Sequence, residues 1–259
     1  MVRCRQANGS PAQARAFVSD RFRTWDDIIV ARAALPVLGE LRQDGGLDIK
    51  ANHLTDTRLY IQATTPRLEA EIRTGDVVQA GIQIRNSEVG SGTFAVEEMI
   101  WRLVCSNGMI SGTALRKYHV GKRMGGNGDD IQEFYRDETI QAELKAFTLK
   151  VQDTVRHAFN PEMFNKEVET LRHAADDSFK PKELERVVTD VTKRLSLPRL
   201  DDILTNVSDS GDLTRYGLAQ AVTALAHDTD DADQAYEFEK AGGKIIQMKP
   251  AAWSQIAEV

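Results

Sequence analysis

The chain has 259 residues, of which 41% are hydrophobic and 28% charged, and its formal net charge is −6. This length and composition are typical of a globular protein with one large domain or two small ones. No apolar run approaches the roughly 20 residues of a membrane helix, and the N-terminus lacks the apolar core of a secretory signal, so neither is predicted. The two cysteines, Cys4 and Cys105, do not make a disulfide framework, which favours a cytoplasmic location.

The net charge hides an asymmetry between the two halves of the chain. Residues 1–125 contain 17 basic and 13 acidic side chains, whereas the remaining residues contain 16 basic and 26 acidic ones. A mildly basic front half and an acidic back half suggest different binding partners. The alternative is that the acidic half simply reflects ordinary helix surfaces, which are often acidic.

The first residues predict two strands and a helix. The extended segments MVRCRQ and ARAFVSDRF flank the turn sequence NGSP. Apolar residues at helical spacing predict a helix from Trp25 to Leu41, with Thr24 as its cap and Asp26 in its first turn. Pro36 predicts a kink or an early end, and Gly45-Gly46 ends the segment.

Alternation of apolar and polar residues predicts antiparallel strands in the next part. TRLYIQA and VVQAGIQIRNS both alternate, and RTGD before the second is a turn sequence. FAVEEMIWRLVC fits a helix or a strand, but its β-branched and aromatic residues and the Ser-Asn-Gly that follows favour a strand. The sequence therefore predicts a hairpin that reverses at Asn107-Gly108, with MISGTALRKYHV as the return strand and Cys105 packed beside the turn.

The second half is predicted to be helical. Gly121–Asp130 is a glycine-rich charged linker and the best internal boundary, which gives a β-rich region with one long helix at 1–124 and a helical region at 125–259, packed on the sheet as one unit. Apolar spacing predicts helices on both sides of Asn160-Pro161, after Pro181, near Tyr216–His227, and one that ends at Gly242-Gly243. The fold class is α+β, with a hairpin-rich antiparallel sheet packed by helices and an α-helical C-terminal half.

Motifs for metal, nucleotide and covalent chemistry are weak. HDTDDADQ lacks the glycine and the terminal glutamate of a calcium loop and is better explained as an acidic helix start. The GxGxxA pattern at Gly90–Ala95 precedes a predicted strand instead of the helix that a dinucleotide site needs, which favours a turn. Cys105 and His119 lie far from opposite each other in the predicted hairpin, so Cys105 is interpreted as a buried structural thiol. We expect no catalytic residue, no metal and no cofactor.

Basic residues, with a neighbouring tyrosine and histidine, form two groups that are candidates for nucleic-acid binding: Arg3, Arg5, Arg21, Arg23, Arg116, Lys117, Tyr118, His119, Lys122 and Arg123. Arg15 accompanies the first group. Together with the aromatic residues Tyr118, Tyr60 and Trp101, they have the pattern of a basic groove for single-stranded nucleic acid. The alternative is a solvated strand edge whose charges prevent edge-to-edge pairing.

Three segments, ARAFVSDRFRTWDD, IRNSEVGSGTF and WRLVCSNGM, together resemble a phage- and plasmid-borne family, the domain of unknown function 932. YGLAQAVTALAH is similar to the C-terminal helix of that family, so the resemblance covers nearly the whole chain. It implies a mobile-element origin and a cytoplasmic protein, and it implies no reaction. The motif residues of the family fall on Asn86, Ser87, Glu88, Gly90, Cys105, Asn107 and Gly108. Glu88 is either a turn anchor or a polar site residue, and we favour the anchor.

These observations lead to one main functional hypothesis. We expect a non-enzymatic, self-associating protein that binds single-stranded DNA in phage or plasmid recombination or replication; the similarity to the plan of single-strand annealing proteins is a fold-level analogy. The alternative is an inhibitory or regulatory factor whose acidic helical half docks a host or phage protein. A cysteine- or nucleotide-using enzyme is a third hypothesis, which the motifs above support poorly. No membrane partner is expected.

Overall fold

The computed structural model of the protein describes residues 1–5, 11–18, 25–43, 45–104, 107–117 and 137–257. Within these residues, antiparallel strands occupy most of the N-terminal half and helices the C-terminal half, which confirms the α+β class. The expected boundary at residues 124 and 125 lies outside the described residues, so the division into two regions stays a prediction. Among the described helices, none is long and apolar enough to cross a membrane.

A two-stranded ribbon and a helix precede the main sheet. Strands β1 (Val2–Arg5) and β2 (Gln13–Phe17) pair antiparallel, as the two extended segments predict. Helix α1 (Asp27–Gln43) continues through Pro36 to Gln43, so the early end that Pro36 suggested is wrong. The side chain of Pro36 is exposed, which keeps its ring away from the buried face of the helix.

The main sheet is a five-stranded antiparallel meander in the order β3-β4-β5-β6-β7. Its strands are β3 (Asp48–Leu54), β4 (Leu59–Arg73), β5 (Asp76–Asn86), β6 (Phe94–Arg102) and β7 (Asn107–Lys117). The strands expected from alternation are confirmed, and the RTGD turn joins β4 to β5, where Gly75 has φ of 82°. Sequence analysis missed β3, because DIKANHL alternates too weakly to be distinguished from a loop.

The β6–β7 hairpin is present, but the predicted reversal at Asn107-Gly108 is wrong. Both residues lie inside β7, where Asn107 pairs with Arg102 and Gly108 pairs with Trp101, so the chain reverses before Asn107. Cys105, which was expected to pack beside the turn, lies outside the described residues.

Packing against later helices explains why this Asn-Gly pair is not a turn. The side-chain amide of Asn107 donates a hydrogen bond to Thr223 Oγ1. A Cβ on Gly108 would come within 2.8 Å of both Glu239 Oε1 and Met99 Sδ. The asparagine therefore serves as a hydrogen-bond donor to a helix, and the glycine as a point of close approach.

Helices fill the C-terminal half. They are α2 (Asp137–Ala158), α3 (Pro161–Asp176), α4 (Leu184–Leu195), α5 (Leu200–Ser210), α6 (Arg215–Ala224), α7 (Ala232–Ile246) and α8 (Pro250–Ala257). The predicted break between α2 and α3 is confirmed, since Asn160 Oδ1 accepts the backbone N–H groups of Glu162 at 2.8 Å and Met163 at 3.3 Å and so caps α3. Pro181 begins a short 3-10 turn, Pro181–Glu183, directly before α4.

The predicted helix end at Gly242-Gly243 is wrong, because α7 continues through both glycines to Ile246. A Cβ on Gly243 would overlap the carbonyl oxygen of Ile110 in β7, and one on Gly242 would overlap Thr223 in α6. The two glycines therefore let α7 lie against a strand and a helix at backbone distance. A glycine pair that permits close packing has the same sequence signature as one that ends a helix.

The apolar side of β5 divides the core into two parts. Ile82 and Ile84 pack with α1 and α2, whereas Val78 and Ala80 pack in one cluster with residues of α3 to α8. The helices thus cover the apolar side of the sheet, as expected. The opposite side of β5 is polar but also buried, and α7 contributes the side chains that contact it.

The close approach of α7 to β7 generates a test with a matched control. Gly243→Ala should lower the free energy of unfolding by about 2 kcal/mol or more, because the new methyl group overlaps a backbone carbonyl that cannot move without disturbing β7. Gly39→Ala in α1 meets nothing within 4 Å and should stabilise the protein by up to about 1 kcal/mol, the gain in helix propensity. Urea denaturation of both variants measures this, and equal effects would contradict the packing of α7.

Candidate functional site

Strand pairing brings several chain segments together at one end of the sheet. Leu54 pairs with Leu59, Leu59 also pairs with Asn86, and Phe94 pairs with Lys117. This end of the sheet contains the connections at residues 55–58 and 87–93 and the last residues of β7, 116–117. We call it the loop end of the sheet.

Asn86 and Glu88 fasten the start of α1 to the loop end. Asn86 Nδ2 donates to the carbonyl oxygen of Trp25 at 2.7 Å and to Asp27 Oδ1 at 2.8 Å. Glu88 Oε1 accepts the backbone N–H of Asp27 at 2.8 Å, which satisfies a donor in the first turn of α1, and Glu88 Oε2 accepts from Arg15 Nη1 at 2.9 Å. Burial raises the pKa of Asp27, and the hydrogen bond from Asn86 opposes that rise. One loop therefore holds both β2 and α1 against the end of β5.

Ser87 and Arg58 close this loop on itself. Ser87 Oγ donates to the carbonyl oxygen of Thr57 at 2.8 Å and accepts the N–H of Ser91 at 3.0 Å. Arg58 Nη2 donates to the carbonyl oxygen of Ser91 at 2.6 Å. Gly90 has φ of 79°, a region that favours glycine. The motif residues from position 86 to 90 thus shape and anchor the loop, and the contacts of Glu88 are those of an anchor.

Two arginines near the loop end, Arg3 and Arg58, are paired with carboxylates. Arg3 Nη2 lies 2.6 Å from Asp26 Oδ1, and Arg58 Nη1 lies 3.3 Å from Asp233 Oδ1. Arg3 was predicted as a nucleic-acid contact, and its ion pair compensates much of its charge. Arg116 lies at the loop end with an exposed side chain.

The remaining candidates fall outside what the structure describes. The backbones of Arg5 and Lys117 belong to β1 and β7, and their side chains are not described. The other residues outside the described ranges are Arg21, Arg23, Cys105, Tyr118, His119, Lys122 and Arg123. The segment that holds the last four begins directly after β7 and is therefore tethered to the loop end by the chain itself.

The aromatic residues differ from those that the sequence suggested. Tyr60 is 3% exposed and its hydroxyl donates to Asp233 Oδ1 at 2.6 Å, so its predicted place in an open groove is wrong. Trp101 is half-buried, with Lys50 Nζ 5.9 Å from its ring centroid. Among the described residues, the aromatic side chain that is open to solvent is Phe17 of β2, which is 85% exposed. Sequence analysis missed it.

Two weak motifs have structural roles. The GxGxxA segment leads into strand β6 instead of a helix, which confirms the turn. HDTDDADQ contains the start of α7, where the side chain of Asp231 accepts the N–H groups of Asp233 and Gln234, which confirms the acidic helix start. The described residues contain no group of three or more His, Cys, Asp or Glu side chains placed to hold a metal ion.

A second polar cluster lies between the sheet and α7. We call it the polar layer, and its members are Tyr60, Gln62, Gln83, Arg85, Glu97, Tyr236 and Glu239. It adjoins the loop end, because Tyr60 and Thr57 both bond to Asp233 in the first turn of α7. The polar layer therefore connects the first turn of α7 to the loops that Ser87 and Glu88 hold.

Glu97 is the charge-compensated acid of the polar layer. Arg85 Nε lies 3.1 Å from Glu97 Oε2, and the Tyr236 hydroxyl donates to Glu97 Oε1 at 3.0 Å. The guanidinium of Arg85 also lies over the Tyr236 ring, 5.0 Å from its centroid. Burial and the nearby carboxylate raise the pKa of Tyr236, so this tyrosine stays a hydrogen-bond donor.

Glu239 is the uncompensated acid. It is 6% exposed and accepts from Gln62 Nε2 at 2.8 and 3.0 Å and from the backbone of Gly108. No ion pair joins it to a cation within the described part of the chain. Burial raises the pKa of Glu239 to about 7, against which the hydrogen bonds from Gln62 and Gly108 act only partly.

This arrangement gives Glu239 the proton affinity of a general acid or base at neutral pH, but its burial keeps it away from a substrate. Its titration instead changes the energy of the contact between α7 and the sheet. Sequence analysis did not find Glu239, because a single acid in a helix carries no signal of burial. The glutamines that alternate in β4 and β5 were the available hint.

A comparison with known protein families confirms the family resemblance seen in the sequence. The model of the domain of unknown function 932 matches residues 16–236, and the chain belongs to this family. No curated protein and no solved structure matches the chain.

The buried carboxyl of Glu239 predicts how stability depends on pH. Its pKa is raised from 4.5 in the unfolded chain to about 7 in the folded protein, so its protonated form is the one that folding favours. The contribution is complete below pH 4.5 and is lost as the pH rises to 7, by about 3 kcal/mol in total. Glu239→Gln should therefore remove this loss and be more stable than the wild type above pH 7. Urea denaturation across this range measures it, with Glu237→Gln, an exposed acid of the same helix, as the control; a Glu239→Gln curve parallel to the wild type would contradict the assignment.

Proposed function

We propose that this protein is a non-enzymatic, self-associating accessory factor of phage or plasmid DNA metabolism, and that it binds single-stranded DNA at the loop end of the sheet. The single observation that supports this proposal is a juxtaposition. The β1–β2 ribbon and the end of β7 are distant in sequence, since Phe17 ends the ribbon and Lys117 ends β7, yet the ribbon is tied to the 87–93 connection and β7 ends beside it.

Each of these segments brings positive charge. The ribbon contains Arg3, Arg5 and Arg15, and its described residues include no carboxylate. Strand β7 ends in Arg116 and Lys117, and the chain continues into the basic segment Tyr118–Arg123. Since the Arg3 and Arg15 pairs are neutralised within the fold, the phosphate contacts are assigned to the β7 end and the segment after it.

The acidic helical half supports the alternative, a factor that docks a basic host or phage protein. Helix α5 contains three aspartates and no lysine or arginine, and Asp201 and Asp209 are exposed. Asp202 lies 2.6 Å from Arg199, the residue before the helix. An acidic helix surface of this kind attracts a basic partner electrostatically, but it has no counterpart to the convergence of distant segments at the loop end.

Titration of a labelled oligo-thymidine at about 50 mM and about 200 mM salt tests the main proposal, because phosphate contacts make affinity fall steeply with salt. Lys122→Gln with Arg123→Gln should weaken binding and reduce the slope of log K against log salt by about 1.4, the value for two lost single-strand phosphate contacts. Lys193→Gln with Arg194→Gln, two exposed cations of α4, is the matched control and should bind like the wild type.

Native mass measured with and without the oligonucleotide reports self-association in the same samples. Absence of binding at the lower salt would remove the DNA proposal and favour the protein-docking alternative. Equal losses in both double variants would show that binding follows net charge alone and would contradict the assignment to the loop end.

A further inference from the structure

Phe17 gives the β1–β2 ribbon an exposed apolar patch. Its side chain is 85% exposed, and Val2, its direct partner across the ribbon, is 49% exposed. Met1, which precedes Val2, is 54% exposed. An aromatic ring so open to solvent on a paired strand is a site where contact with another molecule would bury apolar surface.

Polar contacts hold the ribbon in place. Arg3 pairs with Asp26 of the segment that begins α1, and the Arg15 guanidinium bonds to Glu88 and to the carbonyl oxygen of Asp56 at 2.5 Å. Among the described ribbon residues, none packs into a buried apolar cluster. The ribbon is thus fixed by its arginines, and its apolar face is left available for a ligand.

Size and charge decide between the possible occupants. A second protein copy would need roughly 600 to 800 Å² from each partner for a stable interface, far more than three side chains offer. A nucleobase needs only one ring face. The exposed side chain of Arg116, at the end of β7, lies at the same end of the sheet, and its positive charge suits a polyanion.

The geometry points to Phe17 as a stacking platform for an unpaired base of single-stranded nucleic acid. This inference rests on the proposed function and specifies how that site holds its ligand. The arginines place the ribbon at the loop end, where β7 ends in Arg116 and Lys117, and the ring of Phe17 contacts a base without reading its identity. Binding should accordingly tolerate sequence changes as long as bases are present.

The test compares oligo-thymidine with the same backbone carrying abasic sites, using the full chain. Phe17→Ala should weaken binding of oligo-thymidine by about 5-fold to 150-fold, the range for loss of one base–aromatic stack, with the salt slope unchanged. Phe17→Trp should bind at least as well as the wild type. Phe17→Leu keeps an apolar side chain without a ring face and should resemble Phe17→Ala, which guards against a folding defect of the alanine variant. Leu149→Ala, at a 50% exposed apolar residue of α2, is the control and should change nothing.

The outcomes separate the stacking role from the function itself. Abasic sites should lower the affinity of the wild type as much as Phe17→Ala lowers its affinity for oligo-thymidine. In the Phe17→Ala variant, abasic sites should lower the affinity little further. If the wild type binds and Phe17→Ala and Phe17→Leu bind with the same affinity, the stacking role is overturned and the DNA function stands. A lower native mass of Phe17→Ala with unchanged affinity would assign the patch to a second copy and overturn it too. No binding by any variant at low salt would overturn both.

Discussion

The carboxylate of Glu88 is the contact on which the loop end depends. It joins the first turn of α1 to the ribbon through two hydrogen bonds of 2.8 and 2.9 Å, and Asn86 adds two more bonds to the start of α1. None of the ribbon residues that the structure describes packs in a buried apolar cluster, so these polar contacts and the Arg3 pair determine where the ribbon lies. A charge-assisted bond to a helix N-terminus is also stronger than a neutral one. Asn86 and Glu88 thus determine where the ribbon and the start of α1 lie relative to the end of β5.

The polar layer explains how α7 reaches the same end of the sheet. A helix on an apolar sheet face can slide, whereas donors and acceptors that must be matched under burial fix one position. Glu97 is matched by Arg85 and Tyr236, while Glu239 is matched by amides alone and stays sensitive to protons. The approach of α7 also requires glycine at positions 108 and 243. A Cβ at position 108 would come within 2.8 Å of Glu239 Oε1, and a Cβ at position 243 would overlap the backbone carbonyl of Ile110. The packing of α7 on the sheet therefore affects how stable the protein is near neutral pH, because Glu239 lies in that contact.

Periodicity in the sequence predicted much of the fold and little of the site. Strict alternation identified β4 and β5, and apolar spacing identified α2 and α3, because these elements bury one face against a core. Asn107-Gly108 was wrongly predicted as a turn and Gly242-Gly243 as a helix end, because tertiary contacts use the same residue types as turns and helix ends. The partners of Glu88 and Glu239 lie 61 to 177 residues away, beyond the reach of any local pattern. The anchor role of Glu88 was nevertheless suggested by its glycine-flanked loop.

Hydrogen exchange of Glu88→Ala tests most directly whether this carboxylate organises the loop end. Amides of β1, β2 and the first turn of α1 should lose protection, because their tie to the 87–93 connection is gone, while amides of α7 and of the β6–β7 pair should exchange as in the wild type. Glu185→Ala, which removes an exposed acid of α4, should leave the whole pattern unchanged. If the ribbon and the start of α1 keep their wild-type protection in Glu88→Ala, another contact holds the loop end and the account is contradicted.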